Sequence, residues 1–144
     1  FLMKQMLCQM EKQGEGSILN VASSAGLLPA GPYMATYYAT KSYVTSLTRA
    51  VALELKEKKS NVYVGALCPG PVDTEFNKVA NVEFAIPSIT PTYCASYAIR
   101  KMEKRKIVIV PKNKMKVLAF ISRVLPQSLV IRMTARQQKK KRNW

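Results

Sequence analysis

"SILNVASSAGLLPAGPYMATYYATK", residues 17 to 41, changes periodicity halfway along. Ile18, Leu19, Val21 and Ala22 form a short, mostly apolar run suited to a strand buried on both faces. A Gly/Pro-rich loop follows at 26–32. From about Thr36 to Lys58, Tyr37, Val44, Leu47, Val51 and Leu55 recur at helical intervals, and the charges of "ELKEKK" sit in the last turns. A buried strand, a tight loop and an amphipathic helix make half of a crossover unit.

The rest of the chain repeats that alternation. Upstream, Leu2, Met3, Met6, Leu7 and Met10 have helical spacing, and Gly14 and Gly16 punctuate the end. This start reads as the middle of a helix, so a truncated chain is expected. Downstream, "VYVGALC" (62–68) is a second buried-strand candidate, ended by "PGPVDT". Residues 76–90 read as irregular. Thr90 is then a helix N-cap with Pro91 at the first helical position. "KIVIV" (106–110) is a third strand, stopped by Pro111. Helix and strand alternating three times predicts a parallel α/β sheet of the doubly wound type. Ligands in such sheets sit outside the carboxyl ends of the strands.

The loops at two of those ends carry chemistry. The first delivers Ser23 and Ser24, and the second delivers "PGPVDT" (69–74). Just beyond the first, Tyr37 and Lys41 stand one helical turn apart on one face. A tyrosine ordinarily titrates near 10, too high for a base at neutral pH, but a nearby ammonium favours the phenolate. Such a phenol can give a proton to a forming alkoxide or take one from an alcohol. A serine hydroxyl could hold the same oxygen. The set is competent for carbonyl–alcohol interconversion but supplies no hydride, so a cofactor is required. Tyr97 and Lys101 have the same spacing, without an upstream serine or a downstream Pro-Gly loop. Tyr33, Tyr38 and Tyr43 read as packing or pocket wall, and Asn20 and Asp73 as structural.

Composition removes other chemistries. The chain has no histidine, which excludes histidine triads, histidine metal ligands and an imidazole acid or base. Cys8, Cys68 and Cys94 form no CxxC and read as reduced thiols of a cytoplasmic protein. An apolar content of 48% fits a globular fold. The net charge of +15 is concentrated: residues 100–144 hold 15 Lys and Arg against Glu103 alone, leaving the first 99 residues at +1. A nucleic-acid-binding module could be argued from a pI near 10, but the body is nearly neutral and no aromatic platform interleaves with the lysines. No nucleic-acid partner is expected.

"GSILNVASSAG", "YYATK" and "CPGPVDT", in this order and at these intervals, resemble the second half of a short-chain dehydrogenase/reductase. The tyrosine-rich segment and hydrophobic basic tail are most similar to bacterial members near the hydroxysteroid dehydrogenases. The resemblance covers residues 1 to 111 and implies a Rossmann-type doubly wound sheet, present as three strands with flanking helices. It implies NADP or NAD as cofactor, Tyr37 as general acid/base and Lys41 on both the phenol and the nicotinamide ribose. A serine would orient the substrate oxygen: Ser23 by its register from Asn20, or Ser24 by its distance from Tyr37. Pro69, Gly70, Val72 and Thr74 would pass along the nicotinamide, although Thr74 also reads as an ordinary helix N-cap. The family's glycine-rich phosphate turn and its N-N-x-G segment would precede this stretch. The chain therefore reads as lacking roughly the first hundred residues of the unit. On its own it is expected to be inactive, with strand 17–22 at an unpaired edge.

The same resemblance implies a small carbonyl or alcohol substrate of hydrophobic character and a homo-oligomer. A family member without activity, serving as a binding partner, is the alternative. Residues 112–144 form a basic amphipathic helical extension, interrupted by Arg123 and Pro126 and too short and charged to span a membrane. It could rest on an anionic membrane surface, cover the substrate pocket or join a subunit interface.

Overall fold

The structure is a computed structural model that describes residues 2–75 and 87–141. Its elements run α1 (Leu2–Gln13), β1 (Ser17–Val21), a single 3-10 turn (Ser24–Leu27), α2 (Ala35–Glu57), β2 (Tyr63–Leu67), α3 (Pro91–Glu103), β3 (Val108–Ile109), α4 (Asn113–Val124) and α5 (Gln127–Lys141). The three strands form one parallel sheet in the order β1-β2-β3. Ser17 pairs with Tyr63 and Val21 with Leu67, while Leu67 pairs with Ile109 on its other side. The sequence places the strands, α2 and α3 to within one or two residues, β3 being shortened from the expected 106–110 to Val108–Ile109. Thr90 caps α3 as expected, its Oγ1 accepting from the Tyr93 N–H at 3.2 Å with Pro91 in the first turn.

Strand alternation sorts the core into two faces. Ala66, Cys68, Ala22 and Val110 pack with Leu27 and Met115 on one side. Leu67 and Ile109 pack with Cys94 and Ala98 of α3 on the other. A third cluster joins Leu55, Val62 and Val64 to Met3, Leu7 and Met10 of α1. Thus only one stripe of α1 packs, and Leu2 and Met6 lie exposed. β2 is buried at all five positions. Each fully buried valine or leucine there contributes about 1.5–3 kcal/mol.

Two expectations need correction. β1 is not buried on both faces: Ser17 and Val21 are exposed and the residues between are half-buried. It has β2 on one side and, among the described residues, no strand on the other, so one edge of it is left uncovered. The buried stripe of α2 is Tyr38, Thr45, Thr48, Ala52 and Leu55, one position on from the Tyr37–Val44–Val51 stripe for most of its length. Small side chains, Thr45, Thr48 and Ala52, occupy the middle of that line, where the 3-10 turn approaches the helix at Thr45; Val44 and Val51 flank it half-buried. Thr45 and Thr48 turn their hydroxyls back to Lys41 O (2.8 Å) and Val44 O (2.7 Å), and Thr48 Oγ1 also accepts from Asn20 Nδ2 of β1 at 2.9 Å.

Gly26 fixes the spacing between turn and helix. A Cβ at this position would collide with the Lys41 carbonyl and lie 2.6 Å from Thr45 Oγ1. The C-terminal extension is a helical hairpin broken at Pro126, with Met115 of α4 in the core and Val130, Thr134 and Gln138 forming the buried line of α5. No helix among the described residues is long and apolar enough to cross a membrane. The irregular stretch expected at 76–90 lies mostly outside the described residues.

Two stability measurements check this packing. Gly26→Ala is expected to lower the unfolding free energy by about 1–3 kcal/mol in denaturant titration, because neither backbone can move aside cheaply; an unchanged midpoint would contradict the close approach. Burial pushes the Cys68 and Cys94 thiols up from their ordinary range, whereas Cys8 is exposed. Iodoacetamide should therefore label Cys8 alone in the folded chain and all three in denaturant. Native labelling of Cys68 at the Cys8 rate would show that β2 is not the interior strand.

Candidate active site

The carboxyl ends of β1 and β2 open into a cavity of about 460 Å³. Its wall comes from the β1–α2 connection, the first turns of α2, the loop after β2, the start of α3, and α4 and α5. Ser23, Ser24, Tyr37, Lys41, Pro69, Gly70, Val72 and Thr74 all line it. Sequence spacing brought these residues to the ends of two strands; the fold brings them to one hollow.

Tyr37 and Lys41 project from α2 one turn apart, both half-buried. The Lys41 ammonium lies 5.8 Å from the centre of the Tyr37 ring. It also donates to the Val21 carbonyl at 3.1 Å, which anchors the side chain across the end of β1. Lys41 thus spans the strand end and the phenol, holding one positive charge at the floor of the hollow.

The two serines are positioned by the β1–β2 ladder, which continues past the strands. The Ala22 N–H donates to Leu67 O and the Ser24 N–H to Pro69 O, each at 2.8 Å. Ser23 is the N-cap of the 3-10 turn, its Oγ accepting from the Ala25 N–H at 3.1 Å. That bond uses an oxygen lone pair and leaves the hydroxyl proton to donate to another group. The ladder also brings "PGPVDT" against the serines, and a short parallel bridge from Val72 to Ile89 holds its far end: the Asp73 N–H donates to Ile89 O at 2.9 Å. Thr74 is exposed at the rim, and the residues that would test its expected role as a helix N-cap, 76–86, lie outside the described residues.

The repeated spacing at Tyr97 and Lys101 has the tighter pairing. Lys101 Nζ is 5.3 Å from the Tyr97 ring centre, and Lys116 Nζ donates to the Tyr97 hydroxyl at 3.1 Å. Yet Tyr97 is not among the residues lining the cavity. An amine beside a phenol is not enough; the pair must face a space that a reactant can enter.

Sequence reasoning missed the roof. Gln137 and Gln138 of α5 line the same cavity, and Gln138 Nε2 donates to the Tyr38 hydroxyl at 2.7 Å. Burial raises the Tyr38 hydroxyl above the ordinary tyrosine range, partly offset by that hydrogen bond. The Tyr38 ring meets Tyr37 edge-on, centroids 6.3 Å apart. Lys139 Nζ lies 5.4 Å from the centre of the Tyr33 ring, a second tie between α5 and the entry to α2. A glutamine four residues beyond Thr134 and eight beyond Val130, on a buried helical line, was the available signal.

Comparison with known proteins bears on the family and the fold. A family model described as short chain dehydrogenase matches residues 1–83. D-beta-hydroxybutyrate dehydrogenase of Rhizobium meliloti (strain 1021) is 46% identical over 65 residues, which are 45% of this chain and 24% of that protein. Dehydrogenase/reductase SDR family member 4 of Bos taurus is 35% identical over 103 residues, 72% of this chain and 35% of that protein. The chain therefore spans about a quarter to a third of the length of these relatives. A short-chain dehydrogenase from Sphingobium yanoikuyae, solved in complex with NADPH, superposes with a TM-score of 0.64 at 25% identity, covering 81% of this chain and 46% of that one. With a parallel sheet, a shared hollow at its strand ends and a family match over more than half its length, the chain belongs to the short-chain dehydrogenase/reductase family.

Proposed function

We propose that this chain carries the proton-transfer and substrate-binding half of an NAD(P)-dependent oxidoreductase that interconverts a hydrophobic carbonyl compound and its alcohol. One observation carries the reading: Tyr37, Lys41 and Ser23 come from two elements and converge on one cavity beyond the strand ends. The division after Pro111 then separates the dinucleotide-binding scaffold from a hairpin that roofs the pocket.

The residues present fit a nicotinamide. Lys41 extends across the open end of β1, and the loop from Pro69 to Val72 runs along the cavity wall with Gly70 presenting no side chain there. Lys41, the Val72 backbone and Thr74 would hold the nicotinamide half, which supplies the hydride when bound. In carbonyl reduction Tyr37 donates its phenolic proton to the substrate oxygen as negative charge grows on it. The Ser23 hydroxyl donates a hydrogen bond to the same oxygen and orients it. Lys41 places its charge where a phenolate is left behind, and solvent returns the proton to Tyr37. The reverse sequence oxidises the alcohol. Apolar lining from Leu28, Met34, Leu67 and Leu118 favours a hydrophobic substrate. NAD and NADP both remain compatible with this half, and a homo-oligomer in the cytoplasm is the setting proposed.

Tyr37→Phe, in a polypeptide that restores the first βαβαβ half, should reduce NAD(P)H-dependent ketone reduction by about a hundred- to ten-thousand-fold, the usual range for general acid–base catalysis. Lys41→Met should cause a comparable loss, and Ser23→Ala should exceed Ser24→Ala in effect. Turnover unchanged by Tyr37→Phe would discard the mechanism, and a folded protein without turnover would favour the binding-partner alternative.

A second reading concerns the hairpin's outer face. Val117, Phe120, Ile121 and Val124 form an exposed stripe along α4, and Leu129 and Met133 extend it onto α5. Lys114, Lys116, Arg123, Arg132 and Arg136 are exposed on the same two helices. Apolar residues rimmed by cations complement an anionic membrane surface. Co-sedimentation with phosphatidylserine-containing vesicles, lost with Phe120→Glu and weakened by salt, is the expected result. Dimerisation broken by Phe120→Glu, without vesicle binding, would assign the stripe to a second copy instead.

A further inference from the structure

α5 buries one line of side chains against the body: Val130, Thr134 and Gln138, at 6%, 5% and 1% exposure. Thr134 is satisfied locally, its Oγ1 donating to Val130 O at 2.8 Å. Gln138 is not. Its Nε2 donates to Tyr38, but its Oε1, fully buried, has no hydrogen-bond partner among the described residues. Leucine or methionine would fill this position against an apolar hollow without leaving a polar atom unmet. A buried amide with one atom unmet is unfavourable unless something answers it, and Gln138 lines the cavity that holds Tyr37.

We infer that Gln138 and Tyr38 form a recognition point for a hydroxyl group on the substrate, separate from the carbonyl that Tyr37 protonates. This rests on the substrate pocket proposed above and narrows its occupant to a hydrophobic hydroxy-ketone or the corresponding diol. The Tyr38 oxygen accepts from Gln138, so its own proton is free to donate, and it stands beside the unmet Oε1. Oε1 exposes almost no surface, so a ligand hydroxyl that donates to it and accepts from the Tyr38 O–H must draw the Gln138 amide toward the cavity. Turning the amide over exchanges the roles: Tyr38 donates to Oε1 and Nε2 is left to donate. A hydroxyl answers that arrangement as well, because it both donates and accepts. A carboxylate would lose its hydration against apolar walls. The Tyr37–Tyr38 ring contact separates this point from the reacting one, so one rigid substrate can touch both. Gln138 is a specificity-determining residue, not a catalytic one.

Two probes test this on the 144-residue chain: cyclohexylcyclohexanone and its remote alcohol, hydroxycyclohexyl-cyclohexanone, with affinities measured by calorimetry. The wild type should bind the hydroxylated ketone about tenfold more tightly, the effect of one hydrogen bond to a buried neutral group. Gln138→Met should erase that preference, so that the two ketones bind within about twofold of each other. Equal binding of both ketones by the wild type, as a resident water on the amide would give, overturns the assignment while leaving the pocket intact. That comparison needs no variant, so it decides the matter even if Gln138→Met does not fold. A preference that survives in folded Gln138→Met also overturns it. Failure of either ketone to bind overturns the assignment together with the reading of the cavity as a substrate pocket, whereas loss of the mechanism alone is read separately from turnover of Tyr37→Phe.

Discussion

The contact between Gly26 and the backbone of Lys41 is the constraint on which the candidate site depends. With no side chain between them, the 3-10 turn and α2 approach until the Lys41 carbonyl and the Thr45 hydroxyl lie against the glycine. Ser23 and Ser24 sit just before that contact, and Tyr37 one turn before Lys41. A single steric condition therefore sets the distance between the hydroxyls at the end of β1 and the phenol–ammonium pair on the helix. The threonine line of α2 serves the same approach, filling the interface with small groups whose polar atoms are met by the helix itself and by Asn20.

The parallel order and the strand-end location of the chemistry were legible because they follow from local signals: short β-branched runs, a glycine- and proline-rich loop, a threonine–proline helix start. The placement of Ser23 and the Pro69–Thr74 loop around one hollow could be read for the same reason, since each follows a strand end directly, and Tyr37 and Lys41 lie in the first turns of the helix that the β1 loop leads into. What could not be read depended on partners distant in the chain. The exposure of β1 reflects which strand lies beside it, and an apolar run looks alike at an edge and in an interior. The one-residue rotation of α2 reflects Gly26, whose effect appears only when turn and helix are superposed. Gln138 is a hundred residues from Tyr38, and nothing local distinguishes it from a solvated glutamine.

The basic C-terminal segment illustrates how composition can mislead. Its charge suggests a polyanion partner, yet α5 buries Val130, Thr134 and Gln138, the last at the pocket, and α4 contributes Met115 to the core. The described cations of α4 and α5 are exposed, and one of them, Lys139, rests near the Tyr33 ring ahead of α2. Scaffold and roof are thus separable in sequence although they meet in space. Proton transfer is proposed for residues 23–41 and selectivity for Gln138, a hundred residues beyond Tyr38, so that on this reading one can change without disturbing the other.

The anchorage of Lys41 has a mechanical consequence. Its ammonium is held by the carbonyl of Val21, the last residue of β1, and the Ala22 N–H is directed toward β2. Alternation along a strand then points the Val21 carbonyl to the opposite, outer margin of the sheet. A bordering strand bends more readily than one clamped on both sides, so the stiffness of the lysine mount depends on what lies along that margin. Whatever chain settles there acts as a brace for the amine, and its fit tunes how steadily the phenol is served.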